Sequence, residues 1–173
     1  NRGIDSLRID FRGHGKSSGG SKDFTFVGQL IDIDAAINYV KSFYAKQKVK
    51  LHFIACSFGA PPAIYSCNYY SVDSMTLIAP VLSYFKTFIE PQTDWAKQIF
   101  DKNKLLTLEK TNKLYINKGF YIGMNLYKEM GIVKPEIEVA KIKTRTIIIH
   151  GNQDSMVPYD VSYELTKNNK SLK

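Results

Sequence analysis

The chain has 173 residues, 44% of them hydrophobic, with 24 Lys and Arg against 16 Asp and Glu for a formal net charge of +8. That is enough apolar content for one globular core, while no apolar run approaches the ~18–20 residues of a membrane span. The positive charge is lysine scattered from Lys41 onward, without a dense block or an aromatic-flanked basic motif, so no nucleic-acid partner is expected.

Residues 4–10 ("IDSLRID") read as a short strand running into a Gly- and Ser-rich loop, "FRGHGKSSGG". Over residues 26–44, Leu30, Ile33, Ile37, Val40 and Tyr44 recur at spacings of three and four, which predicts an amphipathic helix. Residues 49–55 form the next strand. A helix over 58–68 follows despite Pro61 and Pro62, because proline is tolerated in a first turn. Residues 75–79 ("MTLIA") make a third strand, ended by Pro80. The stretch 81–143 is far too long for one crossover and reads as several short helices rich in Lys, Tyr and Phe. Residues 146–150 ("TIIIH") predict a fully buried parallel strand, "GNQDSMVP" a loop, and 159–168 a helix behind Pro158. Alternating strands and helices predict an α/β fold, a mostly parallel sheet with helices on both faces. The core then comprises residues 1–80 and 144–173, interrupted by an inserted cap at 81–143.

"ACSFGA", residues 55–60, lies at a strand-to-helix junction. An exposed nucleophile at such a turn holds a strained backbone, and residues two places to either side are then crowded. Ala55 and Gly59 meet that demand around Ser57, although an ordinary turn meets it too. The same turn aims the backbone N–H of Phe58, at a helix start, toward the Ser57 hydroxyl, where it can hold an oxyanion. Cys56 is a weaker candidate nucleophile, since its side chain, one place before the apex, is expected to point into packing. Cys56 and Cys67 show neither metal nor redox spacing nor a disulfide framework, which implies a reducing, cytoplasmic setting.

With "DFRGHGKS" before this turn and "HGNQDSMVP" after it, nearly the whole chain resembles the α/β-hydrolase family. It is most similar to the branch of serine aminopeptidase-like hydrolases, monoacylglycerol lipases and cinnamoyl or feruloyl esterases. "KGFYIGM" resembles a stretch of the cinnamoyl esterase cap. The resemblance implies an inserted helical cap, Ser57 as nucleophile and Phe58 N–H as half of the oxyanion hole. Asp154, within Gly151-x-x-Asp154-x-x-Val157-Pro158, matches the triad acid. It also implies strands 49–55, 75–79 and 146–150 side by side, with Ser57 and Asp154 at one edge. None of His14, His52 or His150 matches the family's base, which follows the acid in a later loop. The expectation is a piece of a larger domain whose base and second oxyanion donor lie outside these residues. The function implied is a carboxylic ester hydrolase acting on a small molecule, with no metal or organic cofactor and an oligomeric state left open. An aminopeptidase-like peptidase is the alternative, with Glu90, Asp94 or Glu109 as carboxylates for a substrate amine. A non-catalytic or truncated hydrolase-fold protein is the other. Of the cap aromatics, Tyr84, Phe85, Phe88, Trp95, Phe120, Tyr121 and Tyr127 either line a pocket or build the cap's own core.

Overall fold

The computed structural model describes residues 3–173. After an extended segment and the glycine-rich loop, helix α1 spans Phe26–Phe43, its first turn capped by Thr25, whose Oγ1 accepts from the N–H of Gly28 at 2.9 Å. Strand β1 (His52–Cys56) leads through a 3₁₀ turn, Ser57–Gly59, into α2 (Ala60–Ser66), which has proline in its first turn. Strand β2 (Ser74–Ile78) follows. The insertion then opens with a π-helical turn, Phe85–Ile89, and continues as α3 (Asp94–Ile99) and α4 (Lys102–Thr111). A hairpin comes next, β3 (Leu114–Asn117) and β4 (Phe120–Ile122), then α5 (Met124–Ile132) and α6 (Pro135–Lys141). Strand β5 (Arg145–Ile149) and α7 (Tyr159–Asn168) complete the order.

The sheet is parallel throughout in the order β1-β2-β5, with His52 opposite Ser74 and Ser74 opposite Arg145. Residues 171–173 run alongside β5, where the Ile148 N–H donates to the Lys173 carbonyl at 2.7 Å and Thr146 bridges to Leu172. The pleat sends Phe53, Ala55, Met75, Leu77 and Ile148 to one face, where Ala60, Ala63, Ile64, Val139 and Val161 pack against them. A second, aromatic cluster joins Phe24, Phe26, Tyr84, Phe88, Phe100 and Leu126. It knits the insertion to α1, and each fully buried side chain of this size contributes ~1.5–3 kcal/mol. Helix α6 packs against α2 and α7. Among the described residues, no helix is long and apolar enough to cross a membrane.

Several expectations change. Residues 4–10 form no strand: they are exposed, Ile4 by 80%, and join no ladder among the described residues. Ile4, Leu7 and Ile9 supply apolar residues, but a strand exists only where a neighbour completes its hydrogen bonds. Strand β5 is not fully buried, because the described helices cover one face of the sheet and not both. Ile54, Ile78, Ile147 and Ile149 are exposed on the other face. Cys56 shares that open face, exposed and unpaired, rather than pointing into packing. The insertion is not helical throughout. Asn117-Lys118-Gly119 turns the chain back, with Asn117 Oδ1 accepting from the Gly119 N–H at 2.9 Å.

Candidate active site

Two glycines shape the loop that leads to the site. Gly13 and Gly15 have φ of 75° and 52°, in the left-handed region that side chains rarely adopt. A Cβ on Gly15 would lie 2.2 Å from a carboxylate oxygen of Asp10, and one on Gly13 would lie 2.5 Å from the Gly20 carbonyl. Asp10 occupies the loop's interior because its carboxylate accepts from the N–H of Lys16 at 3.0 Å. The loop is tied to α1 by Arg12, whose Nη2 donates to Asp32 at 2.6 Å and whose backbone N–H donates to the same carboxylate at 2.9 Å. Burial raises the Asp32 pKa, but the hydrogen bonds and charge of Arg12 outweigh it and leave that carboxyl below its ordinary range.

Ser57 stands immediately after β1 with φ of 48°, one of three non-glycine residues in the left-handed region among those described. The strain, ~1–2 kcal/mol for an L-residue, is held by the turn's surroundings. The Ser57 carbonyl accepts from Val81 N–H at 3.1 Å, which fastens the apex to the start of the insertion. The Phe58 ring stacks on Tyr84 at 5.2 Å and packs near Phe24 and Phe88. Phe58 occupies the first turn of the 3₁₀–α2 unit, where backbone N–H groups lack intrahelical partners. Gly59 corrects the crowding argument. Its φ is −78°, and an added Cβ would meet only the Phe11 ring at an ordinary 3.6 Å, so no contact with Ala55 demands glycine there.

Ser57 opens into an apolar cavity of about 190 Å³ walled mainly by Phe24, Phe58, Phe88, Trp95 and Phe120, and reached by Met156 and Val157 of the Asp154 loop. Of the seven aromatics expected in a cap, Phe88, Trp95 and Phe120 line it, Tyr84 lies in the core cluster and Tyr127 packs against that cluster. Phe85 and Tyr121 lie outside the lining; Lys134 sits over the Phe85 ring and Lys113 over the Tyr121 ring. No carboxylate is among the lining residues, and Glu90, Asp94 and Glu109 are elsewhere.

Asp154 sits in the loop after β5, at the same carboxyl edge of the sheet as Ser57, with β2 between their strands. Its Oδ1 accepts from Met156 N–H at 2.8 Å and Val157 N–H at 3.0 Å. Its Oδ2 lies 3.2 Å from His150 Nε2. Burial pushes its pKa up, but the Val157 and Met156 N–H groups and His150 outweigh that and hold it below the ordinary carboxylate range.

None of the three histidines hydrogen-bonds both Ser57 and Asp154. His14 lines the Ser57 cavity between the rings of Phe24 (4.3 Å) and Phe120 (4.6 Å), with Nδ1 3.3 Å from the Arg12 carbonyl. His52 lies at the far end of β1, 2.6 Å from Ser74 Oγ. His150 contacts Asp154 but not Ser57, and its other nitrogen meets Ser162. The Ser162 contact joins α7 to a loop twelve residues earlier, and no sequence spacing signals it.

No family model matches the sequence, and neither does any curated protein. Solved structures do match its shape. Ferulic acid-bound Est1E from Butyrivibrio proteoclasticus aligns with a TM-score of 0.71 at 22% identity, over 95% of this chain and 63% of that one. A meta-cleavage product hydrolase from Pseudomonas fluorescens aligns at 0.56 and 18%, over 95% and 67%. A monoacylglycerol lipase from Paleococcus ferrophilus aligns at 0.58 and 17%, over 93% and 67%. The chain thus spans about three-fifths of the length of Est1E. The parallel strand order β1-β2-β5 and these likenesses show that the chain has an α/β-hydrolase fold.

Proposed function

We propose that the chain carries the nucleophile and the acid of a serine hydrolase acting on small carboxylic esters. The observation that carries this reading is Ser57 itself, held at φ 48° at the end of a parallel strand and opening into an apolar cavity. Ser57 Oγ attacks the ester carbonyl as its proton passes to an imidazole. The tetrahedral oxyanion takes a hydrogen bond from Phe58 N–H. Collapse expels the alcohol, which takes the proton, and leaves an acyl group on Ser57. Water, deprotonated by the same imidazole, releases the acid and restores the hydroxyl. Asp154, ionised at neutral pH, orients that imidazole and stabilises its charged form. Because none of His14, His52 and His150 is hydrogen-bonded to both groups, the imidazole in this reading belongs to a histidine outside these 173 residues.

The lining favours an ester with a compact acyl or aryl group. The cavity is smaller than the ~300–1,000 Å³ of sites for drug-sized ligands, and its walls are aromatic. Est1E holds ferulic acid, an aryl acid, which agrees with that character. An aminopeptidase needs a carboxylate for the substrate amine, and this lining offers none. The test is turnover of p-nitrophenyl acetate and butyrate against an aminoacyl anilide by the intact protein. Ester turnover that is lost in Ser57→Ala, by a factor on the order of 10⁶, is expected. Preference for the anilide, or normal turnover by Ser57→Ala, would overturn the reading.

A further inference from the structure

His150 is buried, its side chain only 2% exposed, yet both of its ring nitrogens have partners. Nδ1 lies 2.7 Å from Oγ of Ser162, a buried serine on α7, and Nε2 lies 3.2 Å from Oδ2 of Asp154. The Tyr159 ring stands edge-on at 5.7 Å, so the titratable groups facing the imidazole are Asp154 from its own loop and Tyr159 from α7. The Asp154 carboxylate fixes the direction of its hydrogen bond. An ionised carboxylate only accepts, so Nε2 carries the proton and donates. A neutral imidazole then offers Nδ1 as an acceptor, and a hydroxyl, which can do either, donates to it.

We propose that His150 is a positioning residue for Asp154, locked by Ser162 in the tautomer that donates from Nε2; this rests on the reading of Asp154 as the triad acid. The carboxylate is gripped from both sides. Oδ1 takes two backbone N–H groups and Oδ2 takes the His150 ring, which prevents rotation about the carboxyl bond. A carboxylate oxygen has two lone pairs, so Oδ2 keeps one for the N–H of a catalytic imidazole. Neither His150 nor Ser162 lines the Ser57 cavity. Their effect passes through Asp154, as the effect of a carboxylate partner passes through a metal-bound histidine.

The test uses the intact protein with ¹⁵N-labelled histidine and ¹³C-labelled aspartate. At neutral pH the His150 signals should show a proton on Nε2 and none on Nδ1. Ser162→Ala should mix the two tautomers and move the Asp154 titration upward. His150→Leu should move it further and lower ester turnover about tenfold at unchanged KM. His150→Gln keeps a side-chain N–H donor and should restore most of both. A proton on Nδ1 in the wild-type protein, or an Asp154 titration unmoved in both Ser162→Ala and His150→Leu, would overturn the proposal. Loss of all ester turnover in the wild type with these signals intact would refute the hydrolase reading and leave the Ser162–His150–Asp154 arrangement standing.

Discussion

The left-handed backbone at Ser57 makes stability and function separable by two substitutions. Ser57→Ala removes the hydroxyl but keeps a Cβ at φ 48°, whereas Ser57→Gly removes both. The left-handed conformation costs an L-residue ~1–2 kcal/mol, which glycine does not incur. Glycine loses ~0.4–1 kcal/mol more entropy on folding than alanine, and the difference favours the glycine variant by about 0.5–1 kcal/mol. For a chain of this length that is a Tm difference of ~1–4 °C. Calorimetric melts of the two variants in the intact protein measure it directly, and both variants should lack esterase activity. An alanine variant as stable as the glycine variant would show that Ser57 is not strained, and would remove the main structural support for its role.

Gly59→Ala should be tolerated and stabilise by ~0.4–1 kcal/mol, read as a higher urea midpoint, because its backbone is helical and the added methyl meets only Phe11 at 3.6 Å. Gly15→Ala should instead lower the midpoint by an amount corresponding to ~1–3 kcal/mol, since φ is 52° and the Asp10 carboxylate blocks the methyl. Asp32 has a depressed pKa in the folded state, so its stabilisation is fully present above the ordinary carboxylate range and is lost as pH falls through the lower folded value. Urea midpoints should therefore fall on acidification less steeply in Asp32→Asn than in the wild type. Equal slopes would deny the Arg12 pairing its role.

Much of the fold is legible in the sequence because it depends on local pattern. Helix α7 begins behind Pro158, and the strands β1, β2 and β5 lie in the expected order, since apolar runs and prolines act over a few residues. Residues 4–10 read as a strand in the sequence but join no ladder among the described residues, and pairing is a property of two segments. The hairpin at Leu114–Ile122 has its own signal, Asn117-Lys118-Gly119, hidden among helix-forming lysines and leucines. The Ser57 turn shows in its small neighbours, although Gly59 turns out not to be sterically demanded. The direct grip on Asp154 is local, from His150 four residues before it and the N–H groups of Met156 and Val157 just after it, all within "HGNQDSMVP". Only the Ser162 contact behind His150 comes from another element, α7, and carries no linear signature.

An activated Ser57 hydroxyl should react with a fluorophosphonate, and peptide mapping of the intact protein after that reaction locates the adduct. One adduct is expected, on Ser57, formed at the same rate in Cys56→Ala and absent from Ser57→Ala. An adduct on another residue, or one that persists in Ser57→Ala, would contradict it.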